Sequence, residues 1–475
     1  MKKIKDNSAN RFLKSAIAMD GKFCSHQEAL NWIQKRKKEI NVNIELTNLS
    51  RLNNWRYNNS SGRVEHDTGK FFSIDGIDIH IESYEGQIKN WSQPIINQPE
   101  IGYLGCIVKE FDGVLYFLVQ AKIEPGNENV VQISPTLQAT KSNYTKVHKG
   151  NAPMYLNYFN EPGKSKILID QLQSEQGSRF LSKRNRNIII EVSEEIEVSD
   201  NFKWLTLGQI KKLIDSDNVV NMDLRTVISC ISFNEVTNDY LKEIKEKNTF
   251  NTLHSNTFLE SLNINSENCN TNINEIISWF TELKSKTDLK INKVRLDELR
   301  DWSITDQKIS HINGLYFDVL WVHAEIVDRE VASWDQPILA PSGIGVIAFI
   351  VKKIKGVYHF LVQAELECGN LDLYELGPTV SCVEENHAKN NVPFLEYVLS
   401  ASDDQIIYSS LQSEEGGRFY HEQNKNLIIE VEESFHNKPP YNFKWISYGQ
   451  LLYLLKFNNI LNIGARSLLA SIKFE

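Results

Sequence analysis

The chain is written twice. Residues 117–127 read FLVQAKIEPGN and residues 360–370 read FLVQAELECGN; LQSEQGSRF at 172–180 returns as LQSEEGGRF at 411–419. Trp91-Ser-Gln-Pro-Ile recurs as Trp334-Asp-Gln-Pro-Ile, and Asn-Phe-Lys-Trp closes at both Trp204 and Trp445. These pairs stand 239–243 residues apart, far beyond the roughly 20–50 residues of a solenoid unit, so each copy must be a domain. Trp32 pairs with Trp279 and Trp55 with Trp302, which extends the duplication over roughly 25–230 and 272–472. The expected organisation is a leader (1–24), a first domain (25–233), a linker (234–271) and a second domain (272–475). The leader is read as mobile, and as too broken by Lys14 for a secretory signal.

Composition excludes several classes. A net charge of −9 argues against general nucleic-acid binding, which needs clustered cations. No apolar run approaches the ~18 residues of a membrane span. The six cysteines (24, 106, 230, 269, 368, 382) form no CxxC pair and no metal-ligand spacing, so cytosolic free thiols are expected.

Each copy reads as helix, mixed β-sheet, helix: an α/β (α+β) layer fold without the βαβ alternation of a doubly wound sheet. Ser25-His-Gln-Glu28 is a capping box for the first helix, and Asn272 or Asn274 opens its partner. Asp112-Gly113 and Lys355-Gly356 each join two β-rich runs as hairpins. Alternating Ile74, Ile77, Ile79 and Ile81 predict a strand broken by a turn at Asp75-Gly76. Closing helices are expected near Trp204 and Trp445. In the linker a short helix is expected within DYLKEIKEKNTF, followed by an Asn/Ser/Thr-rich tether.

Three stretches carry chemistry. In FLVQAKIEPGN, Lys122 and Glu124 share one face of a strand as it enters a Gly-Asn turn. A lone pair of this kind is ordinarily an exposed ion pair, but this one sits in the most repeated segment. Residues 133–150, ISPTLQATKSNYTKVHKG, gather Gln138, Asn143, Tyr144 and His148 with little apolar pattern, an inventory suited to a polar ligand or simply to a solvated loop. LQSEQGSRFLSKRNRN, 172–187, offers Gln173, Glu175, Arg179, Arg184 and Arg186. Arginines there suit a bidentate diphosphate clamp, although a charge run is usually a solvated face. The second copy reads HEQNKN where the first reads SKRNRN, so the first copy is the better anion site. No GxGxxG, P-loop, HExxH or GxSxG is present.

At FLVQAKIEPGN, SPTLQATKSNYTKVHKG and LQSEQGSRFLSKRNRN the chain resembles the NDP-hexose 2,3-dehydratases of deoxysugar biosynthesis. The resemblance implies tandem Nudix-like domains, a cytoplasmic homodimer and a dTDP-linked 4-keto-6-deoxyhexose substrate. It also implies a downstream 3-ketoreductase that consumes an unstable product, and no nucleic-acid or membrane partner. The Nudix box is absent from both copies, so metal-dependent diphosphate hydrolysis is not implied. The implied chemistry removes the C3 proton α to the C4 ketone and expels the C2 hydroxyl, giving a 3,4-diketo-2,6-dideoxy sugar. The ketone is the electron sink, so no cofactor or metal is required. Under this reading Glu124 or His148 is the C3 base. Tyr144 donates to the C2 hydroxyl or C4 oxygen, and Lys122 stabilises the enolate. Arg179, Arg184 and Arg186 take the diphosphate, and Gln138, Asn143 and Gln173 bond to sugar or base. Glu175 lies beside them, and Trp91 is a candidate for stacking on thymine unless it is a shared structural residue. The second copy would form a related pocket from Glu367, Gln412, Glu414 and Arg418. Alternatives are a Nudix-like nucleotide-sugar hydrolase and a non-catalytic nucleotide-sugar binding protein.

Overall fold

The computed structural model describes residues 7–141, 152–161, 163–247, 250, 252–263, 268–326, 331–386, 392–436 and 438–475. Each copy builds a seven-stranded mixed sheet. In the first copy the order is Lys166–Ser174, Arg184–Glu191, Gly102–Phe111, Val114–Ile123, Phe202–Thr206, with Val131–Ser134 and Leu137–Ala139 pairing at the inner strands. Arg184–Glu191 runs parallel to Gly102–Phe111, while the other neighbours are antiparallel. The near-continuous apolar runs follow from burial on both faces. Cys106, Val108, Phe117 and Val119 face one core, whereas Ile107, Leu118, Ile188 and Ile190 face another. Asp112-Gly113 turns with both residues at positive φ, as the two-residue hairpin demands, and Lys355-Gly356 repeats it.

Each copy also carries a small sheet, and here the copies exchange strands. Val42–Leu46 of the first copy pairs with Phe317–Ile326 of the second, and Asp288–Val294 of the second pairs with Ser73–Glu82 of the first. This exchange corrects the turn expected at Asp75-Gly76. Ser73–Glu82 is one unbroken strand, and Gly76 is required because a Cβ would lie 2.8 Å from the Val294 carbonyl oxygen of the incoming strand. Asp75 is buried, accepting from Ser73 Oγ at 2.6 Å and from Asn97 Nδ2 at 2.7 Å.

The leader is likewise not a tail in its second part. Ser8–Ile17 is a helix that buries Phe12, Leu13 and Ala16 against the large sheet. Its counterpart lies in the expected tether: Leu253–Glu260 is a helix burying Phe258 and Leu259. NRFLKS at 10–15 and NTFLES at 256–261 are one repeated motif. Ser15 Oγ accepts from Leu207 N–H at 2.9 Å, and Ser261 Oγ accepts from Tyr358 N–H at 2.9 Å. The helix expected in DYLKEIKEKNTF is present as Asn238–Lys247.

Capping boxes at Ser25/Glu28 and Thr206/Gln209 start their helices, and Asn272 caps the helix Ile273–Ser285. Trp204 and Trp445 sit in strands, so the closing helices begin after them, at Leu207 and Tyr448. Cys24, Cys106, Cys230 and Cys368 are buried thiols. Among the described residues no helix is long and apolar enough to cross a membrane.

Candidate active site

The two copies meet through the repeated turns and loops, and they cross. Gly126 N–H donates to the Gly416 carbonyl at 2.8 Å, and His421 N–H donates to the Gly126 carbonyl at 2.9 Å. In the mirrored contact, Gly369 N–H donates to the Gly177 carbonyl at 2.7 Å. Only glycine allows this approach: a Cβ on Gly126 would sit 1.6 Å from Phe419 O, and one on Gly369 would sit 1.9 Å from Phe180 O. Two fully buried arginines reinforce the crossing. Arg466 donates to Thr226 Oγ1 at 3.0 Å and to Ser174 O at 2.6 Å, and Arg225 donates to Ser467 Oγ and Ser413 O. Each LQSExG loop therefore serves the opposite copy.

Beside the first copy's turn lies a cavity of about 770 Å³. Lys122, Gln138 and Asn185 line it from the large sheet, Glu124 and Lys183 from the segments flanking those strands, and Asp223 from the helix Met222–Ser229. The second copy supplies Glu415, Gly417 and Arg418 from its loop, and Trp334, Gln336 and the His323–Asp335 pair from its small sheet. Trp55, Phe71, Phe72 and Tyr103 give it an aromatic side, and the exposed Asn53, Asn54 and Thr68 form the rim.

The carboxyl groups are held by short networks. Glu124 is buried; its Oε1 accepts from Gln138 Nε2 at 3.0 Å and lies 4.0 Å from Lys122 Nζ, while Oε2 has no protein partner among the described residues. Lys122 Nζ donates to the Gln138 carbonyl at 3.1 Å, and Asn221 Nδ2 donates to Gln138 Oε1 at 3.2 Å. Burial pushes the Glu415 carboxyl up to about 7 against the opposing pull of Arg418. Burial also depresses the Lys183 ammonium, with Glu175 opposing it. Lys183 Nζ donates to the Glu100 carbonyl. The Arg418 guanidinium stacks 4.2 Å above the Phe72 ring and donates to Gln98 Oε1 at 3.3 Å. Among the described residues no group of three or more His, Cys, Asp and Glu is arranged to hold a metal.

Of the residues singled out in the sequence, Lys122, Glu124 and Gln138 line the cavity, and Arg418 joins them from the other copy. Asn143, Tyr144 and His148 lie outside the described residues. The expected arginine clamp is placed elsewhere. Arg179 stacks 4.3 Å above Phe317, because its loop crosses to the second copy. Arg186 is held bidentate by Asp170 and bonds to Tyr103 OH at 3.0 Å. Arg184 opens its strand opposite Ser174 and does not line the cavity. Gln173 is buried against Gln171 and the Leu455 carbonyl, and Glu175 accepts from Asn185 Nδ2 at 2.6 Å behind the wall. Trp91 packs near Cys368 and donates to Gln93 Oε1, whereas its twin Trp334 reaches the cavity.

The expected second-copy pocket divides for the same reason. Glu367 accepts from Gly177 N–H at 2.9 Å, Gln412 donates to the Ile214 carbonyl at 2.6 Å, and Glu414 accepts from Asn424 Nδ2 at 2.6 Å. None of these three faces the cavity that holds Arg418. Glu415 and the His323–Asp335 pair escape a reading that keeps each copy to itself, whereas Lys183 and Asp223 belong to the first copy and are hidden there in a charge run and in an apolar helical stretch. A signal existed: NMDLRT at 221–226 aligns with NIGARS at 462–467, which sets Asp223 against Gly464.

The model of the family described as NDP-hexose 2,3-dehydratase matches residues 26–231 and 273–472. A dTDP-4-dehydro-6-deoxy-alpha-D-glucopyranose 2,3-dehydratase from Saccharopolyspora spinosa is 43% identical over 471 residues, covering 98% of this chain and 95% of the relative. Proteins of the same name from Amycolatopsis orientalis and Streptomyces violaceoruber are 37% and 39% identical, covering 98% and 93% of this chain and 93% and 96% of the relatives. The duplicated, crossed chain belongs to the NDP-hexose 2,3-dehydratase family.

Proposed function

We propose that this chain is a hydro-lyase that removes water across C2 and C3 of dTDP-4-dehydro-6-deoxyglucose, with the composite cavity as its active site. The observation that carries this reading is the Glu124–Lys122 pair on the cavity wall, a carboxylate beside an ammonium with one oxygen that has no partner among the described residues. Glu124 takes the C3 proton, and the electron pair passes into the C4 carbonyl as an enolate. Lys122 stabilises the charge developing on the C4 oxygen, a contribution that mutational series put at roughly 10²–10³ in rate. Collapse of the enolate expels the C2 hydroxyl and leaves a C2=C3 enol, which ketonises to the 3,4-diketo-2,6-dideoxy sugar. Departure of hydroxide demands a proton donor.

Arg418 and Lys183 take the diphosphate, replacing Arg179, Arg184 and Arg186 in that role. The planar Arg418 fork, pre-oriented on Phe72, suits a bidentate phosphate contact. Trp334, with the aromatic side of the cavity, suits the nucleobase. The reactive product calls for prompt reduction at C3 by a separate ketoreductase.

The test is incubation of the purified chain with dTDP-4-dehydro-6-deoxyglucose in D₂O, followed by mass spectrometry of the nucleotide sugar. Loss of one water with the diphosphate intact is expected. Metal-dependent release of dTMP would instead favour a hydrolase, and prolonged binding without conversion would favour a non-catalytic binding protein.

A further inference from the structure

Asp223 has no structural reason to be where it is. It is the second residue of the helix Met222–Ser229, whose cap Asn221 accepts from Leu224 N–H at 2.9 Å. An acid in the first turn of a helix ordinarily faces solvent, where the helix dipole stabilises its anion. Asp223 is instead 1% exposed, lines the cavity, and has both carboxyl oxygens without a hydrogen-bond partner among the described residues. An unpartnered buried carboxyl costs stability. The duplication supplies the control: the matching helix Ile463–Ser471 carries Gly464 at this position and keeps the same cap, Asn462, and the same buried arginine, Arg466. The fold therefore forms without a carboxyl there.

The surroundings dictate its protonation. Burial is the largest effect, and the charges of Glu415, Glu175 and Glu124 add to it, so the carboxyl is raised well above the usual aspartate range, with Lys122 opposing them. These surroundings favour the protonated form of the Asp223 carboxyl. It is also tied to the proposed base, because Asn221 bonds to the side chain of Gln138, which in turn bonds to Glu124.

We propose that Asp223 is the catalytic acid that protonates the C2 hydroxyl as it departs; the assignment rests on the dehydratase reading above. Its O–H bond breaks, the proton passes to the C2 oxygen, and the C2–O bond breaks with its pair leaving on water. The enolate pair forms the C2=C3 bond. Ketonisation then returns the O3 proton to Asp223 while the proton held by Glu124 passes to C2, so both carboxyls end as they began.

The experiment uses the full chain carrying Asp223→Asn and, matching the twin helix, Asp223→Gly. Three readouts are taken: turnover of dTDP-4-dehydro-6-deoxyglucose, solvent deuterium exchange at C3, and turnover of the 2-deoxy-2-fluoro analogue, whose fluoride leaves without needing a full proton. Both variants should lose about 10²–10⁴ in kcat with KM nearly unchanged. They should continue to exchange C3–H and should eliminate fluoride within about tenfold of the parent rate. Near-parental turnover of the hydroxyl substrate would overturn the assignment. So would equal loss on both substrates, or loss of C3 exchange together with turnover. Absence of water loss in the parent chain would overturn the dehydratase reading itself, an outcome separable from any effect at Asp223.

Discussion

The cavity wall and the matching region around the second copy's turn share one scaffold and differ in charge. Lys122 is matched by Glu365, Lys183 by Glu422, Asp223 by Gly464 and Glu415 by Gln176. Both arrangements keep the Gly-Asn turn, the crossing loop and an arginine stacked on a phenylalanine. Around the first turn, cations Lys122, Lys183 and Arg418 stand among the acids. Around the second, Arg179 faces Glu367 and Glu422, and burial raises both of those carboxyls and Glu365. An ordinary carboxylate site that must also accept a diphosphate needs the first pattern. The comparison separates the parts that hold the chain together from the parts that do chemistry.

The largest expected break comes from giving the cavity its twin's residue. Lys122→Glu places a second acid beside Glu124 and removes the donor for the enolate oxygen, so kcat should fall by at least about 100-fold, measured by water loss under saturating substrate. Next, Arg418→Lys should raise KM by about tenfold, because a point charge replaces a stacked planar fork. Arg179→Lys, on the mirrored side, should move KM by less than about twofold. Equal effects of the two lysine variants would erase the distinction between the halves.

A smaller effect concerns stability. Glu375 is buried, accepts from Ser174 Oγ at 2.6 Å, and is pushed up to about 7 by burial. Its twin Gln132 accepts the equivalent bond from Ser413 Oγ at 3.1 Å through Oε1. A carboxyl raised on folding binds more protons in the native state, so native stability falls as pH rises from the ordinary glutamate range through about 7. Glu375→Gln should therefore stabilise the chain above that window by up to about 3 kcal/mol, with the gain vanishing toward pH 4. Urea unfolding at pH 4.5 and pH 8 reads the difference, and a gain independent of pH would contradict the account.

Local signals were legible in the sequence where a short stretch of chain decides the structure. The Asp112-Gly113 hairpin and the Ser25/Glu28 capping box are set by neighbours in sequence. What stayed hidden depends on the other copy. Gly76 looks like a turn residue until the strand Asp288–Val294 arrives beside it, and Arg179 looks like part of a diphosphate clamp with Arg184 and Arg186 until its loop crosses away. Asp223 sits in an amphipathic run that reads as helix, and only its contrast with Gly464 marks it. The helix Ser8–Ile17 was missed because its repeat, NTFLES, lies inside a polar stretch that resembles a tether.

Of two matching carboxylates, Glu124 on the cavity wall is the proposed base, although Glu367 occupies the same place in the second copy. Deuterium incorporation at C3 in D₂O, followed for Glu124→Gln and Glu367→Gln in the full chain, tests it most directly. Glu124→Gln should abolish both exchange and water loss, while Glu367→Gln should keep both within about twofold of the parent. Exchange that survives Glu124→Gln, or that disappears with Glu367→Gln, would contradict it.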